Sequence, residues 1–178
     1  MKETPAEAAA ILARGSEALD AAFSKLSADA AEARGTIGGG TWSARDLAGH
    51  LTTWEDVALR TIEEIRAGRP PSIRTTVTDE ASLDLFNAAE VERKASTGWG
   101  ETLTNFRATN ARLVATVRAI PDDEWNQVAP GGERGRARTL GEHVGSSTGM
   151  PEYPFRHAWG HLRDLEAFVQ AATKEPES

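Results

Sequence analysis

Thr41-Trp42-Ser43-Ala44-Arg45-Asp46-Leu47-Ala48-Gly49-His50-Leu51 is the stretch on which the reading of this chain turns. Ser43 has the chemistry of an N-cap, because its hydroxyl can accept from the free N–H groups of a first helical turn. Asp46, three residues on, completes an approximate capping box. A helix therefore starts near Ala44. His50 falls in its second turn, beside a stripe made by Leu47, Leu51, Trp54 and Ala58, so its ring points toward the core. Trp42, just ahead of the cap, is a candidate buried aromatic. One imidazole on an apolar stripe is most simply a core histidine with a hydrogen-bond partner.

The same helix continues through Ile62 and Ile65 to about Ala67, where Gly68 and Pro70-Pro71 stop it. N-terminal to it, Thr4-Pro5 gives a cap with proline at the first helical position. Ala8, Ile11, Leu12, Leu19, Phe23 and Leu26 then keep helical spacing to about residue 30. The run Gly35 to Gly40 between these two helices lacks the lysine and Ser/Thr of a phosphate loop and follows no strand, so it reads as a turn. C-terminal to the second helix, a polar linker leads to Thr78, Asp79 and Glu80. A shorter helix follows to about Ser96 with Leu83, Leu85, Phe86 and Val91, ended by Trp99-Gly100. Glu101 to Ile120 is a third long helix, with Leu103, Phe106, Asn110, Leu113, Val114 and Val117 on one side, ending before Pro121.

Asp122 to Asn126 reads as a capped turn in which Trp125 closes one end of the molecule. Arg134 to Arg138 lies in an exposed, partly basic loop. Thr139 caps a short helix with Leu140, Glu142, His143 and Val144, and His143 is expected exposed or at a pocket rim. Gly149, Pro151 and Pro154 break the chain before a last helix from about Pro154 to about Ala172. Nothing reads as a strand. The expected fold is all-α: a four-helix bundle with an extra short helix on the crossover between helices two and three. A single domain spans residues 1–178, with 173–178 as a frayed tail.

The chain has 178 residues, 26% of them charged, and a net charge of -7. That balance argues against nucleic acid and anionic membranes as partners. No stretch approaches a membrane span and the N-terminus has no apolar signal core, so the expected location is the cytoplasm. The sequence contains no cysteine, which removes disulfides, thiolate metal sites and a cysteine nucleophile; any thiol chemistry must use a thiol from outside the chain.

His157 and His161 sit four residues apart on the last helix, about 40° apart around its axis and about 6 Å along it, close enough for both rings to meet one ion. Adding His50 gives three neutral nitrogens from two helices. Three protein ligands and an open position are the usual form of a catalytic zinc-type site. Imidazoles alone suit zinc, nickel, copper or iron(II). Asp46 and Asp164 are placed either to orient the rings of His50 and His161 or to pair with Arg45 and Arg163. Arg45, Arg156 and the arginines at 134–138 could bind a carboxylated thiol cofactor or an acidic substrate, or serve as plain surface charges. Trp54, Trp159 and Tyr153 could wall the pocket or pack as core.

The motif from Thr41 to Leu51, continuing Thr52-Thr53-Trp54-Glu55, resembles the second-helix motif of the DinB/YfiT-like superfamily of metalloenzymes. His157-Ala158-Trp159-Gly160-His161-Leu162-Arg163-Asp164-Leu165 resembles its last-helix motif. Within the superfamily the chain is similar to ClbS/DfsB-type and mycothiol-dependent maleylpyruvate isomerase-like members. The resemblance implies a four-helix bundle over nearly the whole chain and a divalent metal, zinc or nickel foremost, held by His50, His157 and His161. It also implies frequent homodimers, and a mycothiol-like thiol or water directed at a small electrophile in S-transferase, isomerase or hydrolase chemistry with a detoxification or stress role. The alternative left open is a non-catalytic protein that binds or sequesters a small molecule in the same bundle.

Overall fold

A computed structural model describes residues 3–38, 40–132, 136–150 and 152–173. Their helices are, in order, α1 (Pro5–Phe23), α2 (Ala28–Glu32), α3 (Ala44–Arg66), α4 (Ile73–Thr76), α5 (Glu80–Arg93), α6 (Trp99–Arg118), α7 (Asp122–Asn126), α8 (Leu140–Ser147) and α9 (His157–Thr173). Among the described residues there is no strand, only isolated bridges such as Ile37 with Trp42. The all-α expectation holds. Helices α1, α3, α6 and α9 form the bundle, with α1 packed on α6 and α9 and α3 packed on α6. The crossover between α3 and α6 carries α5, as expected, and also the single turn α4. No described helix is long and apolar enough to cross a membrane.

The helix starts follow the local chemistry of the sequence. The Thr4 and Ser43 side chains each accept from the third helical residue, Glu7 and Asp46, whose carboxylates accept in return from the cap backbone. Such reciprocal capping satisfies two end donors at once. The first helix is shorter than its periodicity predicts. It ends at Phe23, and Ser27 starts α2 by accepting from the Ala30 N–H at 3.2 Å. A serine side chain that bonds nearby backbone competes with helix continuation. Trp99 opens α6 instead of ending α5. Its N–H donates to Glu32 Oε1 at 2.8 Å and its ring meets Phe23 edge-on at 5.6 Å, so long-range partners fix that boundary. The expected tail lies outside the described residues beyond Thr173, as does Arg134 of the basic loop.

Two apolar clusters make the core. One gathers Leu19, Phe23, Leu47, Leu51, Phe106 and Leu165. The other gathers Leu12, Ala58, Ile62, Leu113, Val117 and Trp125. Between them in sequence, α1 buries Ser16, α3 buries Thr52, Thr53 and Glu55, and α6 buries Asn110. Asn110 Nδ2 donates to Glu55 Oε1 at 2.6 Å, while Glu55 Oε2 has no hydrogen-bond partner among the described residues. Burial pushes the Glu55 carboxyl up to about 8, against the opposing effect of the Asn110 hydrogen bond. The acid is thus held neutral in the bundle centre.

Candidate metal centre

Helix α3 holds His50 in place from its capped start. Ser43 is fully buried and Asp46 nearly so, and the Asp46 carboxylate accepts from the Ser43 N–H at 3.0 Å and meets Arg45 at 3.4 Å. Asp46 is therefore committed to the cap and to Arg45. With the helix start set, the 3.6-residue turn aims His50 toward α9.

The segment before α9 is anchored rather than loose. Phe155 is fully buried with φ at 63° and stacks on Trp125 at 5.9 Å. A left-handed bend at a bulky residue persists only where packing imposes it. This bend, rather than Pro154, sets the helix start: the His157 N–H donates to Thr148 O at 2.9 Å and α9 begins at His157. Close packing of α1 fixes the other side. A Cβ on Gly15 would lie 3.0 Å from both Ala158 Cβ and Trp159 Nε1, so any larger residue would push against α9.

These constraints bring three imidazoles together. His50 Nε2 lies 3.0 Å from His157 Nε2, and His161 Nε2 lies 3.2 Å from the same atom. Among the described residues these three form a group whose ligand atoms all lie within 4.8 Å of one another. Two nitrogens about 2.0 to 2.2 Å from one ion and subtending about 90° to 110° are separated by about 2.8 to 3.6 Å. Both separations from His157 fall in that interval, and the trio could hold a single divalent cation. Burial pushes His50 down to about 2, helped by the neighbouring His157 and His161. Burial likewise lowers His157 to about 3. It also lowers His161, against the pull of Asp164. All three rings are neutral at physiological pH, the form that binds metal.

Aromatic rings wall the trio. Trp42 tilts over His50 at 4.8 Å between centroids, and Trp54 stands edge-on to His157 at 6.5 Å. Helix α5 holds Trp54 through Asn87 Oδ1, which accepts from Trp54 Nε1 at 3.0 Å, and through Phe86 at 5.5 Å. Tyr153 and Trp159 are exposed. Trp159 is turned about 200° around α9 from His157 and lines, with Ile11, Arg14 and Arg156, a separate cleft of about 250 Å³. His143, expected exposed or at a pocket rim, is buried at 2% on α8, because that helix turns its Leu140, His143 and Val144 face onto α3. Sequence reasoning misses Glu55 as a buried acid, although its spacing from Leu51 and Ala58 places it on the core face of α3.

The DinB superfamily profile matches residues 11–145. The chain belongs to this family. The matched segment contains His50 and stops short of α9, so membership alone does not reach His157 and His161. Two solved structures share the fold over nearly the whole chain. An uncharacterised protein from Escherichia coli UTI89 superposes with a TM-score of 0.78 at 14% identity, covering 99% of this chain and 98% of that one. The colibactin self-resistance protein ClbS, crystallised in complex with a dsDNA, superposes with a TM-score of 0.73 at 17% identity, covering 94% and 98%. No curated protein matches the chain.

The ClbS complex corrects one expectation. The net charge of this chain argues against nucleic acid as a partner, yet a protein of this fold is found on a DNA duplex. The charge argument fails for a physical reason. Net charge sums over the whole chain, whereas contact with phosphates depends on where individual cations stand.

Proposed function

We propose that this DinB-family chain is a divalent-metal-dependent enzyme of the S-transferase, isomerase or hydrolase type that removes small electrophiles. The observation that carries the reading is the convergence of His50, His157 and His161 as neutral, walled imidazoles at metal-ligand spacing. They would hold zinc or nickel, both suited to imidazole. A bound divalent ion supplies Lewis acidity, making a small thiol such as mycothiol, or water, nucleophilic at neutral pH. The chain's own residues keep the three rings unprotonated, and Trp42 and Trp54 limit water around them. Arg45, half-buried beside the start of α3, is the proposed anchor for a carboxylate of the thiol or substrate. Arg156, which lines the separate cleft with Trp159, is proposed to bind a carboxylate there and not at the metal. The absence of cysteine agrees with a thiol supplied as a cosubstrate. The self-resistance role of ClbS agrees with detoxification. A cytoplasmic homodimer is the proposed setting, since free thiols are kept reduced in that compartment; fractionation and sedimentation test it.

Metal analysis of the purified full chain, followed by turnover of a model electrophile with mycothiol or with water alone, tests the reading. The expected result is one ion per chain, lost in His50→Ala, with multiple turnovers only in the loaded protein. A chain with no stoichiometric metal overturns it. Loaded protein that consumes one electrophile per chain and stops would instead be a sequestering protein.

A further inference from the structure

A second cleft, of about 550 Å³, lies between α3, the C-terminal end of α5 and α6. Its α3 wall begins at Gly49, about 100° around the helix from His50, and none of the three histidines lines it. The volume is that of an ordinary small-molecule site.

Its charge runs opposite to that of the chain as a whole. Three cations, Arg93, Lys94 and Arg112, line it against a single carboxylate, Asp56, in a protein of net charge -7. Each cation is positioned by one contact set and keeps donors in reserve. Arg93 grips Glu90 through Nε at 3.1 Å and Nη2 at 2.6 Å. Arg112 Nη2 donates to Asp56 Oδ1 at 2.6 Å. Lys94 Nζ donates to Gly49 O at 2.7 Å and Thr53 Oγ1 at 2.5 Å. A guanidinium has five N–H donors and an ammonium three, so all three groups retain hydrogens for a ligand. Burial and the adjacent Arg93 draw Lys94 below its ordinary value, and an arriving anion would relieve that.

The kind of anion follows from what the arginines already hold. A singly charged carboxylate offers them nothing beyond Glu90 and Asp56. A phosphoryl group carries about -1.5 to -2 charges and three strong acceptor oxygens, enough to engage several cations at once. Apart from Gly49 and Ala108, the remaining wall is hydroxyl and amide: Thr52, Thr97, Thr102, Thr109 and Asn105. Such a wall matches a hydroxylated body better than an apolar one. We infer that this cleft binds a small phosphate monoester with a hydroxyl-rich body, independently of the metal centre.

Calorimetry and amide NMR shifts on the full chain, with ribose 5-phosphate, ribose and inorganic phosphate as probes, test this. Saturable binding of ribose 5-phosphate is expected, with shifts at Gly49, Thr97 and Thr102. Inorganic phosphate should bind at least about tenfold more weakly and ribose not at all. Arg112→Gln, at an exposed side chain, should weaken ribose 5-phosphate at least about tenfold, and Arg118→Gln, outside the cleft, should not. The inference is overturned by absence of saturable binding at millimolar probe, by shifts centred elsewhere, by equal loss in the Arg118 variant, or by inorganic phosphate binding as well as the sugar phosphate.

Discussion

His50 Nε2 and His157 Nε2 are 3.0 Å apart although 107 residues separate them in the chain. Neither side chain reaches the other through local geometry. The distance depends on a capped start for α3, a strained bend at Phe155 ahead of α9, and the close packing of α1 against α9 at Gly15. The site is therefore sensitive to changes far from its ligands.

Replacing any one of His50, His157 or His161 by alanine should lower zinc affinity more than about 100-fold, since loss of a supporting group alone typically costs 10- to 100-fold. Competition with a chromogenic chelator measures this. Equal affinity in the wild type and all three variants would show that the trio does not share an ion.

Glu55 makes a distinct prediction about pH. Its carboxyl is raised to about 8 in the folded protein from 4.5, so between those values the folded state holds a proton that the unfolded chain releases. The stabilising effect of that proton is complete below about pH 4.5 and disappears as pH rises through about 8. Glu55→Gln keeps an acceptor for Asn110 and never ionises. Urea unfolding should find it near wild-type stability at pH 4.5. At pH 9 it should be the more stable protein by several kcal/mol, on the order of 1.4 kcal/mol for each pH unit between the two titration points. A constant difference across that range would show that Glu55 ionises normally in the fold.

Gly15→Val should destabilise the fold by about 1 to 3 kcal/mol, because its Cβ begins 3.0 Å from Ala158 Cβ. Since the displaced turn of α9 carries His157 and His161, metal affinity should fall as well. A surface substitution of equal thermal cost should leave affinity alone. Thermal melts paired with chelator competition separate the two effects.

The cap of α3 is the fourth test. Ser43→Ala removes the acceptor for the Asp46 N–H, which sits 3.0 Å from Ser43 Oγ. A loss of about 1 to 2 kcal/mol is expected by chemical denaturation. Ser43→Asp should restore much of it. If it does not, the cap is not what fixes the helix start.

Much of this structure is legible in the sequence because it depends on neighbours along the chain. Caps at Thr4, Ser43 and Thr139, the apolar spacing of α3 and α6, and the breaks at Gly68 and Pro121 act within a few residues, so they determine the helices and the all-α class. The same periodicity puts His50, His157 and His161 on inward faces. Boundaries that depend on distant partners are not legible. Trp99 starts α6 because Glu32 and Phe23 meet it, and α9 begins at His157 because Phe155 is forced into a left-handed bend against Trp125. His143 is buried because α8 packs on α3. Only the tertiary structure could decide that three imidazoles meet at ligand distance and that Glu55 ends between two apolar clusters. Those outcomes follow from how helices pack, and packing is set by the whole set of contacts rather than by any local pattern.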